Sequence, residues 1–305
     1  MNILIVGLGS IAKKHIKALQ SLNIETTIYA LRSSVNAENV EGINNIYHLE
    51  DKAVKYDFAI ISNPTHLHYQ FIQLLANKKI PLFIEKPVVH TLEKISELIS
   101  LIDTKAVITY VACNLRFHPC IQYLKNAVEK NVAKINELNV YCGSFLPDWR
   151  PGKDFRSVYS ANASMGGGVH LDLFHELDYT TWLFGFPSKS NSVLRSVSTL
   201  QINACDYANY ILEYRSFTAN IVLNYYRRKP KRLIEIVFED DTWTVDLINS
   251  TIKNDSGELL FSDVEFTIKD TYVVQLQYFI ECLKNNQVPM NSFRHSVENL
   301  KICLN

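Results

Sequence analysis

The chain carries a lysine at a position where its side chain could take part in acid–base chemistry. Lys86 follows the apolar run 80–84 and Glu85, and it precedes Pro87. A residue before proline is pushed away from helical geometry towards an extended conformation, which fixes the direction of its side chain. If it points into a cleft, the ammonium group can polarise a hydroxyl or carbonyl oxygen. The alternative is an ordinary strand end.

A carboxylate and an imidazole further along the chain could also take part in acid–base chemistry. Asp172 and His175 follow three consecutive glycines, 166–168, and their separation of three residues predicts that they share one face of a helix. Histidine titrates near neutral pH, and the carboxylate could orient the ring or stabilise its charged form. Asp178 could support His175 from behind, although a helix with polar residues on its solvent face is the alternative. We predict that Lys86, His175 and Asp172 are catalytic.

The N-terminal segment predicts the element that would bind a cofactor. The apolar run 2–6 is typical of a short buried strand, and residues 10–20 have helical apolar spacing. Glycine-rich turns between such elements let a pyrophosphate approach the backbone, and the helix N-terminus offers free N–H groups. The predicted contacts in this turn are Gly7, Gly9, Ser10 and Ile11. A strand, turn and helix without a ligand is the alternative.

Cofactor choice depends on the residues after the second predicted strand. NAD sites usually place an acidic residue there to bind the ribose hydroxyls. This chain has none and supplies Arg32, Ser33 and Ser34 instead. Because arginine can bind phosphate through two hydrogen bonds, the segment favours the 2′-phosphate of NADP, with NAD as the second possibility. A solvated turn is the alternative.

A further segment that could face the cofactor follows the apolar strand 57–62. Loops at the carboxyl ends of parallel strands line the ligand crevice, and a proline would stiffen this one beside the nicotinamide. The predicted contacts are Asn63, Pro64, Thr65 and His68, with Glu85 at the end of a later strand. His66 and His68 are two residues apart and make a poor metal pair, so we predict no metal site.

Composition argues against several classes of function. The 31 basic and 31 acidic residues give a formal net charge of zero, which offers no basic field to a nucleic acid. The six cysteines are scattered without a CxxC pair, which is typical of reduced, cytoplasmic proteins. The first apolar run lacks the basic flank of a signal peptide, and no apolar stretch approaches the roughly 20 residues that cross a bilayer. We expect neither a nucleic-acid partner nor a membrane partner.

The pattern of elements predicts an α/β protein with two domains, since 305 residues exceed the usual size of a single core. Residues 1–117 alternate between short apolar runs and amphipathic stretches, which predicts a Rossmann domain with a doubly wound parallel sheet. Residues 118–305 predict an α+β domain with an open, mostly antiparallel sheet. The expected strands lie near 25–30, 57–62, 80–84, 106–111, 134–144, 207–217, 219–228 and 232–239. The expected helices lie near 66–77, 91–102, 119–130 and from the glycines to about 184.

In their order along the chain, these motifs resemble the Gfo/Idh/MocA oxidoreductases, the group of glucose-fructose oxidoreductase and inositol dehydrogenase. The resemblance rests on Gly7-x-Gly9-x-x-Ala12, Asn63-Pro64-Thr65-His66-x-His68, Glu85-Lys86-Pro87, Asn114-Leu115-Arg116-Phe117-His118-Pro119, and the glycine-rich helix with Asp172 and His175. It implies a Rossmann domain, a C-terminal sheet for substrate binding and oligomerisation, and hydride transfer at nicotinamide C4. It also implies that Lys86 and His175 act on the reacting oxygen.

Two features depart from the family pattern. Many members separate the aspartate and histidine by four positions rather than three, which leaves open the division of labour between Asp172 and His175. The helix-like segment 296–304 stands just before Asn305, where longer relatives could carry a further element.

The substrate is predicted from the loop 145–156, which is rich in aromatic and cationic residues. Trp149 could stack on a sugar face, and Arg150 could pair with a carboxylate or phosphate or instead reach the cofactor. Arg116 and His118 are further predicted substrate contacts. A surface loop with ordinary charges is the alternative.

The sequence thus predicts a cytoplasmic NAD(P)-dependent oxidoreductase. Hydride would pass between nicotinamide and a secondary alcohol or ketone carbon of a sugar, sugar acid or nucleotide sugar. The resemblance favours a sugar-type substrate and a homo-oligomer formed through the C-terminal sheet. Two other classes stay open: a non-catalytic sensor that binds the dinucleotide, and an epimerising enzyme that recycles a tightly held cofactor.

Overall fold

The computed structural model describes residues 1–36, 39–50, 54–130 and 133–305, and the chain divides into two compact units. Unit 1 comprises Met1–Asn114 and Lys269–Leu300. Unit 2 comprises Leu115–Ile268 and Lys301–Asn305. Among the described residues, no helix has both the length and the apolar character needed to span a bilayer.

Unit 1 contains a six-stranded parallel sheet in the order β3-β2-β1-β4-β5-β6. The strands are β1 (Asn2–Val6), β2 (Thr27–Leu31), β3 (Ile43–Ile46), β4 (Phe58–Ile61), β5 (Leu82–Glu85) and β6 (Thr109–Ala112). This is a doubly wound order, so the predicted α/β class is confirmed. Every residue of β4 is buried, as expected for a parallel strand with both faces covered.

Helices α1 (Ser10–Ser21), α2 (His68–Asn77) and α3 (Ile95–Lys105) belong to the same unit. Helix α3 starts later than the predicted helix near 91–102. Lys94 has a left-handed backbone with φ of 54°, so the helix cannot run through it. Thr91 Oγ1 instead accepts a hydrogen bond from the Glu93 N–H in the preceding turn. Strand β3 is absent from the sequence prediction because its Ile-Asn-Asn-Ile sequence lacks an apolar run.

The C-terminal helices supply the main difference from the predicted domains. The sequence places the chain from residue 118 onwards in one domain, whereas α7 (Asp270–Lys284) and most of α8 (Phe293–Leu304) group with the parallel sheet. Phe279 of α7 shows the reason. Its ring centroid lies 5.3 Å from that of Phe58 in β4 and 5.6 Å from that of Phe83 in β5. The chain therefore returns to unit 1 after it has completed the second sheet.

Unit 2 contains an eight-stranded sheet in the order β14-β13-β12-β11-β7-β10-β9-β8. The strands are β7 (Ile135–Phe145), β8 (Lys189–Arg195), β9 (Tyr207–Glu213), β10 (Thr218–Asn224), β11 (Tyr226–Phe238), β12 (Thr242–Asp246), β13 (Thr251–Lys253) and β14 (Leu259–Ser262). Neighbouring strands are antiparallel except β7 and β10, so the predicted open, mostly antiparallel sheet is confirmed. The predicted strand 219–228 spans β10 and the start of β11, and the predicted strand 232–239 forms the rest of β11, whose pairing with β7 shifts register around Pro230.

Three helices accompany this sheet: α4 (Pro119–Glu129), α5 (Val169–Asp172) and α6 (His175–Phe184). The glycines before α5 are required by close packing. A Cβ atom on Gly167 would lie 2.0 Å from the Tyr159 carbonyl oxygen, and Gly168 has φ of 135°. Short 3₁₀ turns lead from β7 towards these glycines, over Leu146–Trp149, Phe155–Ser157, Tyr159–Ala161 and Ala163–Met165.

We expect Phe279→Ala to destabilise unit 1 strongly. The side chain is fully buried and contacts two strands of the sheet, so truncation leaves a cavity and should cost about 3–5 kcal/mol. Urea denaturation would measure the loss. Val274→Ala on the same helix is the control, because Val274 is 46% exposed and its truncation should cost less than about 0.5 kcal/mol. Equal losses in the two variants would contradict the packing assigned to α7.

Candidate active site

The turn between β1 and α1 is shaped to admit an anion. Gly9 precedes α1 without a side-chain cap, which leaves the first N–H groups of the helix for another acceptor. Apart from Gly9 and its two chain neighbours, no atom of the described residues lies within 4 Å of the place where a Gly9 Cβ would be. Ser10 and Ile11 open the helix, as the sequence predicts. This open turn fits the pyrophosphate of a dinucleotide.

A cavity of about 640 Å³ adjoins this turn, at the carboxyl ends of β1, β2 and β4. Five of the predicted cofactor residues line it: Gly7, Arg32, Ser33, Asn63 and Pro64. The structure brings these residues together from three loops, as the doubly wound topology requires. Ser34 is exposed and Thr65 half-buried, and neither is part of the cavity wall.

The Asn63 side chain gives an independent test of whether a cofactor fits. Its Oδ1 and Nδ2 atoms are both buried, and neither has a hydrogen-bond partner among the described residues. An unsatisfied buried polar group costs about 1–3 kcal/mol, so such a side chain in a cavity wall is suited to a polar ligand. The residues present therefore fit a bound dinucleotide.

The cavity wall contains a basic side chain, Arg32, and an acidic side chain, Glu50. Arg32 Nη1 donates a hydrogen bond of 2.8 Å to Asn45 Oδ1, which holds the guanidinium at the end of β2. Glu50 also lines the cavity, and its hydrogen bond from Lys78 lowers the pKa of its carboxyl group. The sequence search for an acidic residue misses Glu50 because that search stops at the end of β2, whereas Glu50 follows β3.

His68 has a different role from the predicted cofactor contact. Its Nδ1 lies 3.1 Å from the Val88 carbonyl oxygen and its Nε2 lies 3.0 Å from the Asn63 carbonyl oxygen. The ring is buried, and burial lowers its pKa. His68 therefore joins the loop after β4 to the segment after β5 through main-chain contacts, which leaves neither ring nitrogen for a cofactor.

Glu85 is held by helix α1. His15 Nε2 lies 2.5 Å from Glu85 Oε1, and the buried His15 ring meets the edge of Phe83 at 5.0 Å between centroids. This contact ties the end of β5 to the helix that follows the glycine turn. Lys86 comes next, is half-buried, and is joined to Pro87 by a cis peptide bond.

In unit 2, Asp172 and His175 do not share a continuous helix. Asp172 ends α5 and His175 begins α6, with Leu173 between them in a non-helical conformation (φ −96°, ψ 36°). Asp172 is buried and His175 is half-buried. The predicted common helical face is therefore wrong, because the chain turns between the two residues.

The Asp172 carboxylate accepts hydrogen bonds from two phenols that sequence reasoning misses. Tyr159 Oη donates to Oδ1 at 2.8 Å, and Tyr225 Oη donates to Oδ2 at 2.5 Å. Burial, followed by the charge of Asp172, raises the pKa of both tyrosines, so they stay protonated as donors. No local signal in the sequence identifies them, since Tyr225 lies 53 residues from Asp172.

Arg116 does not face a ligand, contrary to the predicted substrate contact. The side chain is fully buried, and its Nε and Nη2 atoms donate to Asp178 Oδ2 and Oδ1 at 2.8 and 2.7 Å. This bidentate pair also accounts for Asp178, which contacts Arg116 rather than supporting His175 as the sequence suggests. A buried arginine needs such a partner because an unpaired charge is costly to desolvate.

His118 is likewise structural, which corrects the second predicted substrate contact. Its Nδ1 accepts a hydrogen bond from the Cys120 N–H and caps α4, while its Nε2 lies 3.1 Å from the Leu247 carbonyl oxygen. The residue is 1% exposed, and burial lowers its pKa to about 4. The neutral ring thus joins α4 to the segment after β12.

The predicted substrate loop does approach the Asp172 cluster. Trp149 meets the Tyr225 ring edge-on at 5.3 Å between centroids, and its Nε1 donates to Ser144 Oγ. The Arg150 guanidinium lies 5.3 Å from the centre of the Tyr159 ring. Trp149 and Arg150 are therefore placed beside the two phenols that bind Asp172, while Lys153 and Arg156 are exposed. In the described part of the chain, no three His, Cys, Asp or Glu side chains cluster to hold a metal ion.

Comparisons with known proteins identify a matching family model and several similar chains. A family model described as "Oxidoreductase family, NAD-binding Rossmann fold" matches residues 1–113. The uncharacterized oxidoreductase YrbE of Bacillus subtilis (strain 168) is 30% identical over 192 residues, which cover 59% of this chain and 53% of YrbE. The scyllo-inositol 2-dehydrogenase (NAD(+)) of the same organism is 24% identical over 267 residues, 83% of this chain and 75% of the relative.

The matched region of this chain covers about half the length of YrbE. A solved structure of UDP-N-acetylglucosamine 3-dehydrogenase GnnA from Acidithiobacillus ferrooxidans has a TM-score of 0.81 and 18% identity, with 100% of this chain and 95% of that chain covered. At this level of identity the likeness establishes the fold alone.

We expect His118 to make stability fall on acidification. Its pKa is about 4 in the folded state and near 6.5 in an unfolded chain, so the unfolded state binds the proton first. The contribution is present above pH 6.5 and is lost as the pH falls from 6.5 towards 4. His118→Asn keeps an acceptor at the N-terminus of α4 but removes the titrating ring. Its free energy of unfolding, measured with urea, should fall less than that of the wild type over this range.

The variant should keep part of the pH dependence, because burial also lowers the pKa of His170 to about 4. Parallel pH curves for the wild type and His118→Asn would show that the His118 ring does not stay neutral in the folded protein.

Proposed function

We propose that this chain is a member of the Gfo/Idh/MocA family of oxidoreductases and that it is an NAD(P)-dependent dehydrogenase. Its substrate would be a secondary alcohol, or the corresponding ketone, of a sugar, sugar acid or nucleotide sugar. The observation that carries this proposal is the cavity that adjoins the β1–α1 turn and has the unsatisfied Asn63 amide in its wall. The turn itself offers an uncapped helix and an open Gly9.

We assign the parts of the cofactor to residues of unit 1. The N–H groups of Ser10 and Ile11 would bind the pyrophosphate, and the Asn63 amide would supply a donor and an acceptor inside the cavity. Arg32 and Ser33 would bind the 2′-phosphate of NADP, which we favour over NAD. Bound nicotinamide supplies the redox chemistry, since its C4 position can accept or release a hydride.

The remaining chemistry is assigned to three side chains. With bound nicotinamide as the hydride acceptor, the His175 imidazole would take the hydroxyl proton as the alcohol is oxidised to the carbonyl. The Lys86 ammonium stabilises the negative charge that develops on the reacting oxygen. Asp172, which is fixed by two phenols, positions the substrate as a hydrogen-bond acceptor. Reduction of the ketone follows the same steps in reverse.

We also propose a cytoplasmic location and a homo-oligomer. All six cysteines are thiols, as expected in a reducing compartment, which supports a cytoplasmic enzyme. Self-association through the sheet of unit 2 stays a prediction. It is supported by Ile211 and Val193, which lie on the same face of adjacent strands and are 44% and 50% exposed.

The decisive experiment is a screen of sugars, sugar acids and nucleotide sugars with NAD and NADP, followed by nicotinamide absorbance. A dehydrogenase gives a substrate-dependent change in absorbance. A sensor would bind cofactor without turnover, and an epimerising enzyme would retain its cofactor through gel filtration without net redox change. Either of these results would replace the proposed function.

With a substrate in hand, Lys86→Ala and His175→Ala should each lower kcat by at least about 100-fold, the lower range for loss of acid–base assistance. Cofactor affinity, measured by fluorescence titration, should change little, because neither residue lines the cavity. Lys94→Ala is the matched control, since Lys94 is an exposed lysine of the same unit. Turnover like that of the wild type in either variant would refute the assigned role.

Arg32→Ala should lower kcat/KM for NADP by about 10- to 100-fold, the effect expected for a lost charge-assisted hydrogen bond to phosphate. The value for NAD should change much less, so NAD serves as an internal control measured with the same protein. An equal loss with both cofactors would show that Arg32 supports the fold of the cavity and does not recognise the phosphate.

A further inference from the structure

The loop 145–156 is linked to Asp172 by a short chain of side-chain contacts within unit 2. Two consecutive loop residues each contact one of the tyrosines that bind the carboxylate. Trp149 packs edge-on against Tyr225 with perpendicular rings, and the Arg150 guanidinium lies over the Tyr159 ring. Each tyrosine therefore has its ring against the loop and its hydroxyl on Asp172.

In both hydrogen bonds to Asp172, the phenol is the donor and the carboxylate is the acceptor. Each carboxylate oxygen of Asp172 accepts a hydrogen bond from one of the two phenols, and these two donors come from separate parts of the fold. Tyr159 belongs to a 3₁₀ turn after the loop, while Tyr225 is fully buried between β10 and β11. A movement of either ring would shift the carboxylate, since the side chain is held at both oxygens.

A hydrogen bond holds the Trp149 ring in its position against Tyr225. Its indole N–H donates to Ser144 Oγ at 2.9 Å, which fixes the ring against the end of β7. The residue is nevertheless 36% exposed, so part of the indole surface is accessible to a ligand. No acidic side chain of the described residues forms an ion pair with Arg150. The loop thus presents an aromatic surface and a cation while it contacts the tyrosines.

We infer that Tyr159 and Tyr225 are positioning residues that couple the substrate loop to Asp172. A ligand that engages Trp149 and Arg150 would fix the two rings, and through their hydroxyls the carboxylate. This inference rests on the proposed dehydrogenase activity for its kinetic consequence, but the coupling itself is a property of unit 2. The roles proposed above for the Gly9 turn and for Lys86 do not involve these two tyrosines.

Kinetic variants test the positioning role. Tyr225→Phe and Tyr159→Phe each keep the ring and remove the donor, and each should lower kcat about 10-fold, as for loss of one hydrogen bond to a charged group. The KM for the cofactor should stay unchanged. In the double variant Tyr225→Phe/Asp172→Asn, kcat should equal that of Asp172→Asn alone, because the tyrosine acts through the carboxylate. Independent, multiplicative losses would overturn the inference.

Tyr210→Phe is the matched control for these variants. Tyr210 is also a fully buried tyrosine of unit 2, and its hydroxyl donates to the Cys303 carbonyl oxygen rather than to Asp172. It should lower the melting temperature by a similar amount and leave kcat unchanged. If Tyr210→Phe lowers kcat as much as Tyr225→Phe does, the tyrosines act only by stabilising the unit, and the inference fails.

A second measurement decides the coupling without turnover. Protein labelled with 5-fluorotryptophan gives one ¹⁹F resonance for each of its three tryptophans, and Trp149→Phe assigns the loop signal. Asp172→Ala should shift the Trp149 resonance and leave those of Trp182 and Trp243 in place. An unshifted Trp149 signal overturns the inference. If the ¹⁹F shift is present but no substrate is oxidised by the wild type, the coupling stands and the proposed function fails.

Discussion

The close approach of Gly7 to Asn63 is the constraint on which the cofactor cavity depends. A Cβ atom on residue 7 would lie 2.8 Å from Asn63 Cα, and Gly7 has φ of 82°, so any other residue would push the two segments apart. The contact joins the turn after β1 to the loop after β4, which are adjacent parallel strands with their carboxyl ends at one edge. The cavity wall, with the Asn63 amide in it, can exist only because these two loops meet without a side chain between them.

His68 and Glu85 extend this constraint across the sheet. His68 joins the loop after β4 to the segment after β5, and Glu85 joins the end of β5 to α1 through His15. Lys86 lies between these two attachments, so its main chain is held from both sides. The glycine turn, the Asn63 loop and the lysine segment thus form one connected frame in unit 1, built from polar contacts that burial makes costly to break.

Unit 2 uses buried ion pairs to fix the helix that begins with His175. Glu176 receives hydrogen bonds from Arg232 in β11, at 2.6 Å from Nε and 3.1 Å from Nη2, and Asp178 receives the bidentate pair from Arg116. Both carboxylates lie in the first turn of α6, where negative charge also suits the helix dipole. Buried pairs of this kind add little net stability but specify one arrangement, because an unpaired charge in the same place would be strongly unfavourable. The direction of the His175 backbone follows from them.

The sequence by itself determined the features whose signal is local. The glycine turn and the apolar strands of a doubly wound sheet are each set by the conformational limits of a few consecutive residues, and the structure has both. Arg116 shows what local signals cannot supply, since its partner Asp178 is 62 residues away. Local signals likewise do not predict the break between α5 and α6 or the two phenols that donate to Asp172. Only the tertiary structure decided which polar residues are buried in pairs and which line the cavity, because the burial and pairing of a charge depend on side chains brought together from distant parts of the chain.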